Sequence, residues 1–223
     1  MKNSTKYFET ITNYIQTMRG IRTRYDTTLR DLKDYEGSAI YNREVQAAEA
    51  TRDNAASALR DSFWKDIREV TAAMRETAKN RPLVPPTPEQ TGLLTILQMR
   101  KSVSRDELDR AARQLEGCPT ALAVLADLAE KHKILGFRYE QEWSTEDALN
   151  KIDVLEGSAR KLLQAGLAAA DRRVPEDVTY CLYYYGVFNP VPREGANTSG
   201  GVRSDDLVPD KKTIAAFSKA VDG

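Results

Sequence analysis

Side chains able to do acid–base, nucleophilic or metal chemistry are few in this chain, and they are scattered. The single histidine, His132, lies in Glu130-Lys131-His132-Lys133. That is an expected helix end, where an imidazolium meets the negative pole of the helix dipole. The placement predicts a capping role over a catalytic base or a metal ligand. The two cysteines, Cys118 and Cys181, are far apart, and with one histidine they cannot complete a structural zinc set. They are expected to be reduced, small and buried. No calcium-binding loop, phosphate-cradling glycine loop or nucleophile elbow is present. Asp106, Glu107 and Asp109 fall at an expected helix start, where carboxylates serve the backbone dipole. The expectation is a protein that is not an enzyme, with no catalytic residues, cofactor or metal.

Charge narrows the partners. Lysine plus arginine total 33 and aspartate plus glutamate total 33, so the net charge is zero. A general polyanion binder needs a positive surplus to displace counterions. Arg19, Arg22 and Arg24 form a local basic patch, offset a turn or two later by Asp26, Asp31 and Asp34. That is the pattern of a solvated coiled-coil flank, and nucleic acid is not expected as a partner. Charged residues make up 30% of the chain and hydrophobic ones 41%, which suits a folded protein with a large polar surface. No apolar run approaches the ~18 residues of a membrane span, and the N-terminal stretch lacks the apolar core of a signal peptide. The expected location is the cytoplasm, with no membrane partner.

One local composition stands out. Tyr180, Tyr183, Tyr184 and Tyr185, followed by Phe188, crowd a short stretch. Tyrosine couples a large contact area to a polar tip and is favoured at protein interfaces. Packing against a preceding helix is the other reading, but so many tyrosines cannot all face one small core. Tyr180, Tyr183 and Tyr184 are therefore candidate interface residues.

The elements that must carry these side chains are helices. From Ile11, positions spaced alternately three and four apart read Ile11, Tyr14, Met18, Ile21, Tyr25, Thr28, Leu32 and Tyr35. The period places one apolar stripe along one face and favours winding against another helix. Phe8, Ile15 and Leu29 widen the stripe, which suits a hairpin or bundle better than a strict two-stranded zipper. Gly37 offers a left-handed C-terminal cap and Ser38 can cap a second helix over about 39–79. On that helix Val45, Ala48, Ala55, Leu59, Phe63, Ile67, Val70 and Met74 would face inward. A single continuous rod is the rival geometry. It keeps the first register at Phe63, Ile67, Val70 and Met74, but its middle reads Ala39, Asn42, Gln46, Glu49, Asp53 and Ala56. Such a seam would be wet halfway along, so the hairpin is preferred.

Asn80 to Pro88 holds four prolines and reads as a stiff linker. Short helices follow. Thr87-Pro88-Glu89-Gln90 and Ser104-Arg105-Asp106-Glu107 each carry a capping-box pattern. Gly117 closes the second helix and Pro119 opens a third. Each is too short to stand alone in water, which predicts a compact three-helix unit over about 87–135. Ser144-Thr145-Glu146-Asp147 starts a longer helix ending near Asp171. Over 178–188 the β-formers compete with Pro175-Glu176-Asp177, a good first helical turn, and helix is preferred because a lone strand has nothing to pair with. Residues 189–208 read as an arm lacking its own core. A short terminal helix follows, with Ile214, Phe217 and Val221 on one face.

The predicted fold class is all-α. A long N-terminal helical hairpin or coiled coil (1–80) precedes a proline-rich linker (81–88), a helical module (89–188), and an arm with a short terminal helix (189–223). A long N-terminal coiled coil, a proline break, then Thr87-Pro88-Glu89-Gln90-Thr91-Gly92-Leu93-Leu94 running on to Leu128-Ala129-Glu130-Lys131-His132 resembles uncharacterised structural proteins encoded among the head genes of tailed bacteriophages. The resemblance is architectural and covers about residues 1–135. It implies a virion or capsid-assembly component, of scaffold or head-associated type, and carries over no catalytic residue. The seam predicts a homo-oligomer that also binds other protein subunits. Its interface would be built from Ile11, Tyr14, Met18, Ile21, Tyr25, Leu32, Phe63, Ile67, Val70 and Met74. On this view, Ile11→Asp with Met18→Asp should abolish self-association and leave 87–170 folded. A monomeric adaptor, its hairpin folded back on the helical module, is the alternative.

Overall fold

The computed structural model describes residues 2–81, 84–134, 137, 145–172, 174, 190–192, 207–209 and 211–222. Seven α-helices are described: α1 (Asn3–Asp31), α2 (Ala39–Lys79), α3 (Pro88–Met99), α4 (Arg105–Gln114), α5 (Pro119–Lys131), α6 (Thr145–Ala165) and α7 (Lys211–Asp222). Two 3-10 segments, Lys33–Tyr35 and Gly166–Asp171, extend α1 and α6. Within the expected arm, Pro190–Pro192 pairs antiparallel with Leu207–Pro209, with Val191 opposite Val208. Apart from this ribbon the described elements are helical, as the periodicity predicts. The chain forms two compact units, residues 1–79 with 145–223, and residues 80–144.

The first unit is organised by the hairpin. Gly37 takes φ +84, a left-handed value that glycine adopts without the strain of a Cβ. Ser38 accepts a hydrogen bond from the Tyr41 amide at 3.0 Å, starting α2. Asn3 reaches Thr77, Lys6 pairs with Glu69, and Tyr14 stacks on Phe63 with ring centroids 4.1 Å apart. Tyr25 meets Glu49 and Arg52. Partners fall along α2 as they rise along α1, so the helices are antiparallel and the continuous rod does not form.

The half of the hairpin remote from its turn is sheathed by later parts of the chain, α6, the Gly166–Asp171 segment and α7. Tyr7 donates through its hydroxyl to the Leu155 carbonyl at 2.9 Å, inside the core. Arg75 bridges α2 to Asp153 at 2.8 Å and to Glu156 on α6. Ile152 and Leu155 on α6 and Phe217 and Val221 on α7 are fully buried, and each such side chain contributes about 1.5–3 kcal/mol. The chain ends are clamped together. Asp222 accepts from the Ser4 amide at 2.7 Å and from its hydroxyl at 2.6 Å, while Asn3 donates to the Val221 carbonyl at 2.6 Å.

The grouping of α6 corrects the expected domain bounds. The reading of 89–188 as one module fails at α6, which belongs to the hairpin unit. The terminal helix, expected to close an extended arm, is part of the same core. The 80–144 stretch is thus an insertion, and the Thr145 hydroxyl donates to the Ala78 carbonyl at 3.3 Å where the chain leaves and returns.

The second unit matches its expectation closely. Thr87 with Gln90, and Ser104 with Glu107, form reciprocal capping boxes. Gly117 takes φ +84 between α4 and α5. At the end of α5, Ile134 donates to the Ala129 carbonyl and Lys133 to that of Glu130, both at 2.9 Å. This is a Schellman closure made with a lysine at φ 54 in place of the usual glycine. Leu94, Leu97, Leu108, Leu115, Leu125 and Leu128 fill the core, with Cys118 among them.

Candidate interaction surface

The residues with chemical potential are held in structural roles. Glu107 accepts from the Ser104 amide and hydroxyl and from Arg100. These bonds, the backbone one first, pull its carboxyl down to about 2. Cys118 is a free buried thiol, and Cys181 lies outside the described residues. His132 terminates α5; its Nε2 is enclosed and has no hydrogen-bond partner among the described residues. No group of His, Cys, Asp or Glu that could hold a metal occurs among the described residues. No described helix is long and apolar enough to cross a membrane.

The basic patch is consumed internally. Arg19 donates to the Ala170 carbonyl at 2.6 Å and to that of Arg172, answering the carbonyls left open where the 3-10 segment ends. Arg22 pairs with Asp171 at 2.8 Å. Only Arg24 points its charge along an open surface, its Nε turned back on the Gly20 carbonyl at 3.2 Å.

The candidate interface residues divide sharply. Ile11, Tyr14, Met18, Ile21, Phe63, Ile67, Val70 and Met74 are all buried within one copy of the chain. They hold α1 to α2 and to the sheath, so they offer no face to a second copy. The expectation that Ile11→Asp with Met18→Asp would report on self-association fails for this reason, because the pair would disrupt the fold itself. Tyr14 shows how closed this region is. Burial raises its phenol above the ordinary tyrosine value against the pull of Arg60, and its hydroxyl has no partner among the described residues. Tyr25 and Leu32 are only half-buried. Tyr180, Tyr183 and Tyr184 lie outside the described residues.

From about residue 22 to residue 55, the arm, the two hairpin helices carry no fully buried side chain, and among the described residues only the Arg22–Asp171 pair bonds them to another element. Tyr25 donates to Glu49 at 3.2 Å, and the Arg52 guanidinium sits 4.4 Å from the centre of its ring. This polar clasp replaces the apolar seam of the sheathed half. Arg52 in turn binds Asp53 at 2.7 Å. At the tip Tyr35 and Ile40 are 56% and 63% exposed. An open groove of about 330 Å³ follows one side of the arm, lined by Ile21, Arg24, Tyr25, Thr28, Glu44, Ala47, Ala48, Thr51, Arg52 and Ala55. Sequence reasoning missed this groove. Ala55, expected to face inward, is exposed and lines the groove with Ala47 and Thr51, because α1 offers no large apolar side chain to cover so small a one.

Compared with known protein families, with curated proteins and with solved structures, the chain matches none.

Proposed function

We propose that this chain is a non-enzymatic structural or assembly protein acting through self-association and the binding of other protein subunits. The architectural resemblance adds a context, a bacteriophage virion or capsid-assembly component of scaffold or head-associated type. One observation carries the reading: a sheathed, self-sufficient core holds out a helical arm whose tip exposes Tyr35 and Ile40. An arm without a core of its own gains most by packing against another protein surface. The internal engagement of Arg19 and Arg22 supports a protein partner over nucleic acid.

Sedimentation of the full chain across a wide concentration range is the test. The expected result is an average mass that rises with concentration. A second reading, a monomeric adaptor whose arm binds only a different protein, is favoured by one feature. The buried seam of the hairpin is already covered by α6 and α7 of the same copy. A mass fixed at that of one chain at every concentration would select the adaptor and reject self-association.

A further inference from the structure

We propose that α3 is a contact surface for a second copy of this chain, the two α3 helices lying antiparallel with Met99 of each seated over Gly92 of the other. The proposal rests on the self-association reading and names one place where it occurs.

The outer side of α3 differs from that of its neighbour. Between Glu89 and Arg100 the helix has no charged residue, whereas α4 exposes Arg105, Asp106, Arg110 and Arg113. Leu94 and Leu97 enter the core of the three-helix unit. On the opposite side stand Gly92 and Met99, seven residues apart. Seven residues make two turns to within about 20°, so the two are in line along the helix, about 10 Å apart. Met99 is 81% exposed and projects from the surface. A Cβ on Gly92 would meet no atom within 4 Å. Glycine inside a helix costs stability relative to alanine, yet no part of this chain packs into the space it leaves. One helix face thus carries a knob and a notch. Ile96, 61% exposed, flanks their line on one side and Thr95 on the other.

A knob and a notch on one helix fit each other twice only when that helix meets its own reversed image. A two-fold axis in the contact plane, crossing the helix between Thr95 and Ile96, reverses the chain direction and keeps each flank on its own side. Met99 of one copy then falls on Gly92 of the other, and the same contact recurs at the far end, as an isologous pair requires. Ile96 packs on Ile96 of the second copy, and Thr95 on Thr95. The missing side chain at Gly92 lets the helices approach closely.

Charge selects the same orientation. Glu89 and Arg100 stand seven residues before and four residues after Ile96, on the Ile96 flank. Reversal brings Glu89 of one copy within about 3 Å, measured along the axis, of Arg100 of the other. Among the described residues Glu89 has no hydrogen-bond or ion-pair partner. Arg100 holds Glu107 through one terminal nitrogen, which leaves its other donors for a second carboxylate. A parallel pair would set Glu89 level with Glu89 and Met99 against Met99.

The strip is about 18 Å long and about 12 Å wide, roughly 200 Å² on each copy. A stable pair buries about 800 Å² per partner, so this contact is weak and reversible alone and gains strength when repeated within an assembly.

Sedimentation equilibrium of full-length variants up to millimolar concentration tests the arrangement, with circular dichroism to verify helix content. All substituted positions are exposed. Gly92→Gln fills the notch. It should weaken association about three- to tenfold while raising the thermal midpoint, because a better helix former replaces glycine; a merely structural role would not move the two in opposite senses. Ile96→Asp and Ile96→Lys each set like charges face to face and should weaken association at least tenfold. Mixing these two variants should recover most of that loss, since Asp of one copy then meets Lys of the other. If the chain associates but none of these substitutions moves the constant, or mixing brings no recovery, the α3 contact is wrong and self-association through another face stands. If the chain stays monomeric at every concentration, both fall.

Discussion

The two halves of the hairpin are made from the same heptad pattern and come to opposite ends. Near the root, Tyr7, Ile11, Tyr14, Ile15 and Met18 face Phe63, Ile67, Val70 and Met74, and all are buried. Near the tip, Tyr25, Leu29 and Leu32 face Tyr41, Val45 and Ala48, and all are half-exposed. The difference is in the width of the apolar stripe. At the root, residues such as Tyr7 and Ile15 flank the seam and give α1 a second apolar flank, which α6, α7 and the Gly166–Asp171 segment cover. At the tip the flanks are Arg, Asp and Thr, and two helices suffice. A narrow stripe fixes a helix pair, and a broad one recruits further layers.

Matched substitutions should expose this contrast most strongly. Met18→Asp puts a carboxylate where the side chain has no exposed surface, and Leu32→Asp places the same group in the half-open seam. The first should unfold the 1–79 with 145–223 unit outright, and the second should lower its stability by no more than about 1–2 kcal/mol, since water reaches the new charge. Denaturant unfolding followed by circular dichroism measures both, and equal losses would erase the distinction between root and tip. Phe217→Ala removes sheath without touching either hairpin helix. It should destabilise the unit by about 3–5 kcal/mol, and amide exchange should quicken along the root of α1 more than at the tip. Gly37→Ala acts on the tip alone, where φ +84 disfavours any Cβ although no atom lies within 4 Å of it. The expected loss is about 1 kcal/mol, seen as faster exchange confined to the turn, with the sheathed root unchanged.

Local chemistry made much of the fold readable. Gly37 and Ser38 marked the hairpin turn, the Thr87 and Ser104 boxes marked two helix starts, and Gly117 marked a helix end. Each of these signals acts within four residues of itself. Phe8, Ile15 and Leu29 all widened the stripe and suited a hairpin or bundle, but nothing in them told the root, where Phe8 and Ile15 are buried, from the tip, where Leu29 is half-exposed. What sequence could not yield was the address of α6. Ile152 and Leu155 make an apolar face that would suit the three-helix unit as well as the hairpin, and only packing in three dimensions decides between them. The Ser4–Asp222 clamp joins residues 218 positions apart, and nothing local announces it. The arginines, read from sequence as a solvated coiled-coil flank, have partners that no local signal announces. Arg19 and Arg22 bind the carbonyls and the carboxylate at the end of the Gly166–Asp171 segment, which only the fold brings beside them. Thr28, Ala48 and Ala55 fit the seam by spacing but are too small to close it, so they line an open groove instead.

The hydrogen bond from Thr145 to the Ala78 carbonyl has one more implication. A host that stitches the two ends of a cassette side by side asks of that cassette only that its own termini lie close together. Residues 80–144 leave the hairpin unit and rejoin it at neighbouring positions, so that unit's continuity depends on the Ala78–Thr145 junction rather than on the length of chain between.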